Sequence, residues 1–234
     1  MDPTLRAVSL DLDNTLWDTP PVLARAEAVL RAWLVANCPE IARRFDPAAL
    51  ARLRLEVVSE RPERAHDLSF VRSEALRRAA RAAGYADAAA DQAFAVFLTA
   101  RNEVVPYDGV PDALARLAAR LPLYALSNGN ACVWRVGLGR HFRAHIDAAG
   151  AGAAKPDPVI FARLLEVAGL PPATVLHVGD DPEADVDGAR RAGLRSAWMN
   201  RTGATWPESL PRPDHEIADL EALERVVERL QKPG

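Results

Sequence analysis

Two acidic clusters each come directly after a short apolar segment of this chain. The first is the run DLDNT at residues 11–15, and the second is the run GDDPEAD at residues 179–185. Several carboxylates cannot all stay ionised in one small site without a cation, because like charges disfavour ionisation. Carboxylate oxygens are hard ligands that suit Mg²⁺. The clusters therefore predict a divalent-cation site, provided that the fold brings them together.

Two further polar segments supply groups suited to an anion. The run LSNGN at residues 126–130 contributes a hydroxyl at Ser127, and the run KPDP at residues 155–158 begins with Lys155. Lysine is rare in this chain, since only Lys155 and Lys232 are lysines among its 29 basic residues. A compact ammonium group suits a phosphate oxygen or a carboxylate. A carboxylate nucleophile, a cation, a hydroxyl and a lysine are the parts that phosphoryl transfer needs, because that reaction depends on positioning and on neutralising oxygens.

Four short apolar segments indicate the elements that must position these groups. Their near-continuous apolar character is typical of strands buried on both faces of a parallel sheet. They are residues 7–10, 123–126, 175–178 and 195–199. Helical periodicity lies between them, so the alternation predicts right-handed crossovers and an open α/β sheet. Ligands bind outside the carboxyl ends of such strands, which is where the polar clusters lie.

Helical spacing of apolar residues marks the connecting segments. Proline near the start of a helix and glycine after its end delimit several of them. The predicted helices lie near residues 110–121, 160–168, 182–192 and 220–230. A further helix is expected directly after Asn130, which is a candidate for its N-cap.

Residues 19–105 show helical patterns and no convincing strand. Their apolar faces fall near residues 22–33, 68–79 and 94–101. We therefore expect a helical module inserted after the first strand, with the sheet resuming near Pro106. Some arginines of this module are interpreted as a solvated helix face; they are Arg72, Arg77, Arg78 and Arg81.

The bulk composition excludes several classes of protein. With 234 residues, 49% hydrophobic residues and a net charge of −3, the chain is typical of a globular protein and offers no basic surface for nucleic acid. No stretch reaches the roughly 18 apolar residues of a membrane span. The N-terminal segment, with Asp2, lacks the form of a signal peptide. Cys38 and Cys132 form no paired motif, so reduced thiols and a cytoplasmic location are expected, while the oligomeric state stays open.

The four motifs DLDNT, LSNGN, KPDP and GDDPEAD, in this order, resemble those of the haloacid dehalogenase superfamily. The resemblance covers the whole chain, because the helical insertion matches the position of the helical C1 cap in that superfamily. The runs LSNGNA, GLGRHF and LHVGDDPEADVDGA are more narrowly similar to the bacterial flavin mononucleotide phosphatase branch. The resemblance implies an open parallel Rossmann-like α/β core at residues 1–18 and 106–234, with the cap at residues 19–105.

The resemblance also implies a role for each acidic residue of the site. Asp11 would attack phosphorus and form an aspartyl-phosphate. Asp13 would protonate the leaving oxygen and then deprotonate the hydrolytic water. The Asp11 carboxylate, the Asp13 backbone carbonyl and Asp180 would bind Mg²⁺. Asp185 would support the metal site.

The phosphate group would be held by groups from the two other motifs. The resemblance assigns this role to the Ser127 hydroxyl, the Asn128 backbone amide and Lys155. Thr15 would position the first loop. Each of these residues also has an ordinary structural interpretation as a turn, cap or solvated residue.

Two neighbouring residues are interpreted as structural. Asp181 precedes Pro182 and is therefore expected to be a helix N-cap, which leaves Asp180 available to the metal. His177 lies inside a strand segment and is interpreted as a core or edge histidine with its hydrogen bonds satisfied. The other four histidines show no ligand spacing.

The predicted function is hydrolysis of a small phosphorylated metabolite with Mg²⁺, without nucleic acid or membrane partners. Flavin mononucleotide, the riboflavin-pathway ribitylaminouracil phosphate and small sugar phosphates are the open substrates. Three alternatives remain. A haloacid dehalogenase of the same fold needs neither a metal nor an acid such as Asp13, a binding module has no turnover, and a phosphomutase requires a bisphosphate activator.

Overall fold

The apolar segments expected to be strands all lie in one sheet. The computed structural model describes residues 3–232, and within that range the sheet has six strands. They are β1 (Ala7–Leu10), β2 (Leu123–Ser127), β3 (Ala144–Asp147), β4 (Val175–Gly179), β5 (Arg195–Met199) and β6 (His215–Ile217). Strands β1, β2 and β4 are buried along their whole length, as the continuous apolar segments predict.

Every strand pairing in this sheet is parallel. The spatial order is β3-β2-β1-β4-β5-β6. Strands β2 and β3 therefore extend the sheet on one side of β1. The chain then returns to the centre, and β4, β5 and β6 extend the sheet on the other side of β1. The crevice between the ends of β1 and β4 is the switch point at which open α/β sheets bind ligands. The predicted open parallel α/β fold is confirmed.

The two edge strands, β3 and β6, were not predicted. Among the residues of β3, only Ile146 is fully buried, and among those of β6 only Ile217 is. An edge strand exposes one side to solvent, so its sequence lacks the continuous apolar pattern that marks the central strands.

Five helices flank this sheet within the described residues. They are α6 (Val110–Ala118), α7 (Ala148–Ala151), α8 (Pro158–Ala168), α9 (Gly188–Arg191) and α10 (Leu220–Gln231). Helix α8 shows why they form where they do: the Asp157 carboxylate caps the amide of Val159, Pro158 occupies the first turn, and Gly169 ends the helix at a φ of 62°. Its buried face, with Phe161 and Leu164, packs in the apolar cluster beneath the sheet.

The helix expected after Asn130 is absent. Residues 133–137 form a turn, in which the Leu138 amide donates to the Val133 carbonyl. Gly137 has a φ of 82°, which an α-helix does not accommodate. The prediction of a helix here was wrong, because a polar residue before a short apolar run is also typical of a turn.

The second compact unit is helical and spans Thr19–Val104, while the sheet unit comprises Met1–Asp18 and Val105–Gly234. The helical unit contains α1 (Thr19–Asn37), α2 (Pro39–Arg44), α3 (Pro47–Glu60), α4 (Leu68–Ala82) and α5 (Asp87–Arg101). Apolar residues of α1, α4 and α5, such as Leu30, Leu76 and Phe97, share one buried cluster. Helices α2 and α3 were not predicted. In α3 only Leu50 and Val57 are buried, which is too few to give a clear apolar face.

The interpretation of the arginines in the helical unit was wrong for Arg72. Arg77 and Arg81 form surface ion pairs with Asp91 and Asp87. The Arg72 side chain is only 13% exposed, pairs with Glu27 at 2.8 Å and lies over the Phe97 ring. Burial lowers the pKa of Arg72, and neighbouring charges, led by Glu27, modify that shift.

Within the described residues, no helix is both long and apolar enough to cross a membrane.

Candidate active site

Three carboxylates converge at the crevice between β1 and β4. One oxygen from each of Asp11, Asp180 and Asp185 lies within 4.8 Å of the corresponding oxygens of the other two. Asp11 directly follows β1 and Asp180 directly follows β4, and the parallel register pairs Leu10 with Val178. The two acidic clusters predicted from the sequence are therefore brought together because adjacent parallel strands end at the same edge.

Lys155 pairs with two of the three carboxylates in this cluster. Its Nζ atom is 2.6 Å from Asp11 Oδ1, 2.6 Å from Asp185 Oδ1 and 2.7 Å from the Leu126 carbonyl oxygen. The three N–H donors of the ammonium group are thus all used. The Lys155 side chain is 2% exposed, so these ion pairs are shielded from solvent.

The charges in this cluster do not balance. Three carboxylates meet one ammonium group in the described part of the chain. Burial raises the pKa of Asp11 well above its usual value, although the Lys155 charge opposes this. Burial, reinforced by the Asp185 charge, raises the pKa of Asp180 to about 6. Burial alone would raise the pKa of Asp185, but Lys155 and a hydrogen bond from His177 hold it well below its usual range.

A divalent cation would offset this excess of negative charge. The carboxylates of Asp11 and Asp180 are hard oxygen donors of the kind that Mg²⁺ prefers. Asp180 has a raised pKa because burial and the Asp185 charge disfavour its ionised form, and a bound cation would favour that form. The residues present therefore fit a magnesium ion.

Asp13 is held by a tryptophan from its own loop. The Trp17 indole Nε1 donates to Asp13 Oδ1 at 2.9 Å. Trp17 is fully buried, and its backbone bridges to both Asp13 and Pro106. The Asp13 carboxyl is half-buried and has a fixed partner, which suits a group that must exchange protons at a defined position.

Thr15 connects the first acidic loop to the second. Its hydroxyl donates to Asp180 Oδ1 at 3.4 Å. The Arg201 guanidinium donates to the Thr15 backbone carbonyl at 3.0 Å and lies 4.2 Å from the centre of the Tyr107 ring. Thr15 is completely buried and these polar contacts join the first acidic loop to Asp180 and Arg201, while its role in positioning that loop stays a prediction.

Ser127 and Asn128 lie at the end of the neighbouring strand β2. The Ser127 Oγ accepts from the Gly129 amide at 3.0 Å, which leaves its own proton available to donate. The Asn128 side chain makes two hydrogen bonds to the backbone of Lys155, of 2.8 Å to the carbonyl and 2.7 Å from the amide. Asn128 therefore fixes the segment that carries the lysine.

In the second acidic loop, Asp181 is the N-cap of the turn that follows, as the sequence predicts. Asp181 caps the π-helical turn Pro182–Asp187, since its carboxylate accepts from the amides of Glu183 and Ala184. The Asp180 carboxylate is left free of this capping role. Asp185 Oδ2 accepts from the Asp181 amide at 3.0 Å, which links the two ends of the turn.

Gly179 and His177 also contribute to the site, and the spacing of the motifs did not identify either of them. A Cβ atom at Gly179 would lie 2.1 Å from Asp185 Cγ, so a residue without a side chain is required there. His177 Nε2 lies 3.1 Å from Asp185 Oδ1. His177 is buried with its hydrogen bonds satisfied, as predicted, but one of its partners belongs to the carboxylate cluster.

A cavity of about 350 Å³ adjoins the acidic cluster within the sheet unit. Its wall includes Asn14, Tyr107, Asp180, Trp198 and Arg201. Asn14 adopts a φ of 59°, a left-handed conformation that asparagine tolerates better than most residues. Of the three clustered carboxylates, Asp180 is the one that lines this cavity.

A parallel α/β sheet with acidic loops at its switch point and a buried lysine between them defines a class of hydrolase. Residues 5–193 match the family of haloacid dehalogenase-like hydrolases. This match covers more than half of the chain, so the protein belongs to that family and is a hydrolase.

The relatives of this chain include both phosphatases and dehalogenases. It is 33% identical over 231 residues to the 5-amino-6-(5-phospho-D-ribitylamino)uracil phosphatase YigB of Escherichia coli (strain K12), and the match covers 95% of this chain and 96% of YigB. The crystal structure of a 2-haloacid dehalogenase from Pseudomonas syringae pv. Tomato DC3000 matches with a TM-score of 0.92 and 37% identity, covering 96% of this chain and 99% of that one.

A third relative is also a dehalogenase. The (S)-2-haloacid dehalogenase of Pseudomonas sp. (strain YL) is 32% identical over 131 residues, which is 53% of this chain and 56% of that protein. The reaction of the present chain must therefore be argued from its own site.

Proposed function

We propose that this protein is a Mg²⁺-dependent phosphatase that hydrolyses a small phosphomonoester through an aspartyl-phosphate on Asp11. The observation that carries the proposal is the excess of carboxylate over ammonium in a cluster formed by the buried residues Asp11, Asp185 and Lys155 and the half-buried Asp180. Such an excess favours a site that operates with a divalent cation. A dehalogenase of the same fold requires no cation, so this site would be poorly suited to that reaction.

The proposed reaction has two halves. In the first, a carboxylate oxygen of Asp11 bonds to phosphorus while the bond from phosphorus to the ester oxygen breaks, and Asp13 gives a proton to that oxygen. In the second, Asp13 removes a proton from water and the water oxygen bonds to phosphorus. The bond between phosphorus and the Asp11 oxygen breaks, which regenerates the Asp11 carboxylate and releases inorganic phosphate. Held by Asp11, Asp180 and the Asp13 carbonyl, Mg²⁺ would neutralise charge on the phosphoryl oxygens.

Lys155 has a defined part in this scheme. Burial disfavours the ionised form of Asp11, and the ammonium group 2.6 Å away stabilises it. An ionised Asp11 is needed because a protonated carboxyl is a poor nucleophile. The Ser127 hydroxyl and the Asn128 backbone amide are proposed to donate to phosphoryl oxygens, and Asp185 is proposed to hold Lys155 in place.

The substrate is proposed to be a metabolite of the flavin pathway, either flavin mononucleotide or ribitylaminouracil phosphate. The name and full-length match of YigB support this choice. The helical unit, Thr19–Val104, is proposed to act as the cap of this enzyme and to carry its substrate selectivity. Cys38 and Cys132 form no disulfide within the described residues, which supports the proposal of a cytoplasmic location.

The dehalogenase alternative is favoured by the P. syringae structure, which is 37% identical. The position of Asp13 argues against it. Its carboxyl is held by Trp17 two residues after the proposed nucleophile Asp11, and dehalogenation has no leaving oxygen that must be protonated.

One screen separates the two reactions. Phosphate release is measured from flavin mononucleotide, ribitylaminouracil phosphate and several sugar phosphates, with Mg²⁺ and with EDTA, and halide release from 2-chloropropionate is measured in parallel. The proposal expects phosphate release that EDTA abolishes and that Asp11→Asn lacks. Halide release that persists in EDTA, without phosphate release from any ester, would show that the protein is a dehalogenase.

A further inference from the structure

A histidine and a serine lie side by side on the central strands directly below the catalytic carboxylates. Ser9 of β1 and His177 of β4 are partners in the parallel register. The Ser9 Oγ is 2.7 Å from His177 Nδ1, and His177 Nε2 is 3.1 Å from Asp185 Oδ1. Ser9 is completely buried and His177 is 1% exposed. The two residues are therefore connected to the site through Asp185 alone among the hydrogen bonds described.

The protonation of this histidine follows from its partners. Asp185 Oδ1 accepts from Lys155 Nζ, and Asp185 Oδ2 accepts from the Asp181 amide. Asp185 is thus an ionised acceptor, so His177 must present its Nε2 proton to it. A neutral ring then has a bare Nδ1, and the Ser9 hydroxyl supplies the proton for that hydrogen bond. In this series of hydrogen bonds, Ser9 Oγ donates to His177 Nδ1, and both His177 Nε2 and Lys155 Nζ donate to Asp185 Oδ1.

We propose that Ser9 and His177 form a positioning pair that fixes the Asp185 carboxylate and, through it, the Lys155 ammonium group beside Asp11. The proposal rests on the phosphatase function given above. Asp185 Oδ1 is the acceptor shared by His177 and Lys155, at 3.1 and 2.6 Å. A second donor on the oxygen that accepts from Lys155 restricts the rotation of the Asp185 carboxylate, and a lysine whose carboxylate partner is less firmly oriented would lose its position.

The arrangement exceeds what core packing requires. The Phe161 and His177 rings form a T-shaped pair with ring centres 5.6 Å apart, an arrangement that two apolar rings also favour. A buried polar ring is costly unless its hydrogen bonds are made, and here both nitrogens have partners, one of which, Asp185, belongs to the carboxylate cluster. His145 offers a comparison: it is a largely buried histidine of β3 whose Nε2 atom has no hydrogen-bond partner among the described residues.

The test compares His177→Phe with His177→Gln. Phenylalanine keeps the ring and removes the donor to Asp185, whereas the glutamine amide retains a donor at a similar reach. We expect His177→Phe to lower kcat about 10- to 100-fold, the range typical for partners that orient site ligands, with KM nearly unchanged. His177→Gln should recover most of that loss, and Ser9→Ala should give a smaller reduction. His145→Phe is the matched control and should keep wild-type kcat.

Two outcomes would overturn the proposal. One is a folded His177→Phe protein, judged by its thermal midpoint, with wild-type kcat. The other is a folded His177→Gln protein that is as impaired as His177→Phe. If His177→Phe does not fold, Ser9→Ala decides in its place, because unchanged kcat in that variant would equally contradict the pair.

A measurement that requires no substrate tests the positioning pair independently of the proposed phosphatase function. The ring nitrogen chemical shifts of His177 are recorded by NMR at neutral pH in the wild-type protein. A neutral ring protonated on Nε2 supports the positioning pair even if no phosphate ester is hydrolysed, in which case the proposed function fails alone. A ring protonated on Nδ1 alone leaves Asp185 without a donor from His177 and overturns the pair whatever the enzyme hydrolyses, whereas a ring protonated on both nitrogens still donates to Asp185 and supports it.

Discussion

At the scale of single residues, the site depends on opposite charges held in a small buried volume. Lys155 is within 2.6 Å of two carboxylates and is itself almost fully buried. Removing one partner of such a group leaves an uncompensated buried charge, which costs more than the ion pair contributes. The catalytic and structural roles of these residues are therefore difficult to separate unless stability and turnover are both measured.

Replacing Lys155 by methionine tests the charge balance. The variant leaves Asp11 and Asp185 buried without the ammonium group. We expect the free energy of unfolding of the metal-free protein to fall by about 3–5 kcal/mol, and Mg²⁺ to restore part of it. Urea unfolding with and without Mg²⁺ measures both effects.

Arg120→Met is the matched control for that experiment, since it removes a surface ion pair with Glu228. Such exposed pairs contribute roughly 0–1 kcal/mol. Equal losses of stability in Arg120→Met and Lys155→Met would contradict the buried charge cluster.

Asp13→Asn tests the acid–base role of Asp13. The amide oxygen can still accept the Trp17 hydrogen bond, so the loop should keep its geometry. We expect kcat to fall by about 10²–10⁴, the usual contribution of general acid–base catalysis. Steady-state kinetics on the best ester of the screen provides the measurement. A rise in KM with unchanged kcat would mean that Asp13 only binds the substrate.

Residue types and motif order predicted which side chains would lie together. Asp11, Asp180 and Asp185 converge, and Lys155 pairs with Asp11 and Asp185. Ser9 could not be predicted as a partner of His177, because the two residues are 168 positions apart and meet only through strand register. Such contacts require knowledge of which strands are neighbours, which the sequence pattern does not contain.

At the scale of secondary structure elements, the end of β4 and the turn that follows it determine where Asp185 lies. The turn Pro182–Asp187 carries Asp185 back over Gly179, the last residue of the strand. The Asp185 carboxylate can lie this close to the strand only because Gly179 has no side chain. The predicted segment for this helix, 182–192, has the correct location, but it includes a π-helical turn that periodicity alone does not distinguish.

Gly179→Ala tests this contact. The new Cβ would lie 2.1 Å from Asp185 Cγ, so the carboxylate or the strand end must move. We expect a large loss of kcat, because Asp185 can no longer contact both Lys155 and His177. Activity assays and thermal unfolding of the purified variant provide the measurement.

Gly169→Ala is the control for Gly179→Ala. Gly169 has a φ of 62° at the end of α8, and no atom of the described residues lies within 4 Å of a Cβ added there. Alanine at this position therefore adds backbone strain of roughly 1–2 kcal/mol without contacting the site. The control should lose stability and keep kcat. If Gly179→Ala behaves in the same way, the contact with Asp185 has no role in turnover.

Burial decides which elements the sequence predicts. The central strands β1, β2 and β4 are wholly buried and were found from their apolar segments. Strands β3 and β6 combine exposed or half-buried residues with a single buried one over three or four positions, which is too short for a clear pattern.

At the scale of the whole molecule, the candidate site belongs to one of the two compact units. The carboxylate cluster lies entirely within the sheet unit, which comprises Met1–Asp18 and Val105–Gly234. The helical unit, Thr19–Val104, has its own apolar cluster. We therefore propose that the sheet unit determines the reaction type and that the helical unit determines which substrate is selected.

Magnesium should stabilise the whole protein if it binds the folded state alone. At a concentration of about 100 times Kd, the free energy of unfolding should rise by about 2.7 kcal/mol. Thermal unfolding with increasing Mg²⁺ measures the effect. Asp180→Asn removes one proposed ligand and should show a much smaller rise. An identical rise in both proteins would place the ion elsewhere.

The most direct test of the central claim is to detect phosphate on Asp11. Enzyme in excess is mixed with the best ester of the screen, quenched in acid at successive times within one turnover, digested and analysed by mass spectrometry. The account predicts that the peptide containing Asp11 carries phosphate before free phosphate accumulates, and that this species then disappears. Accumulation of free phosphate without phosphate ever appearing on that peptide would contradict the account.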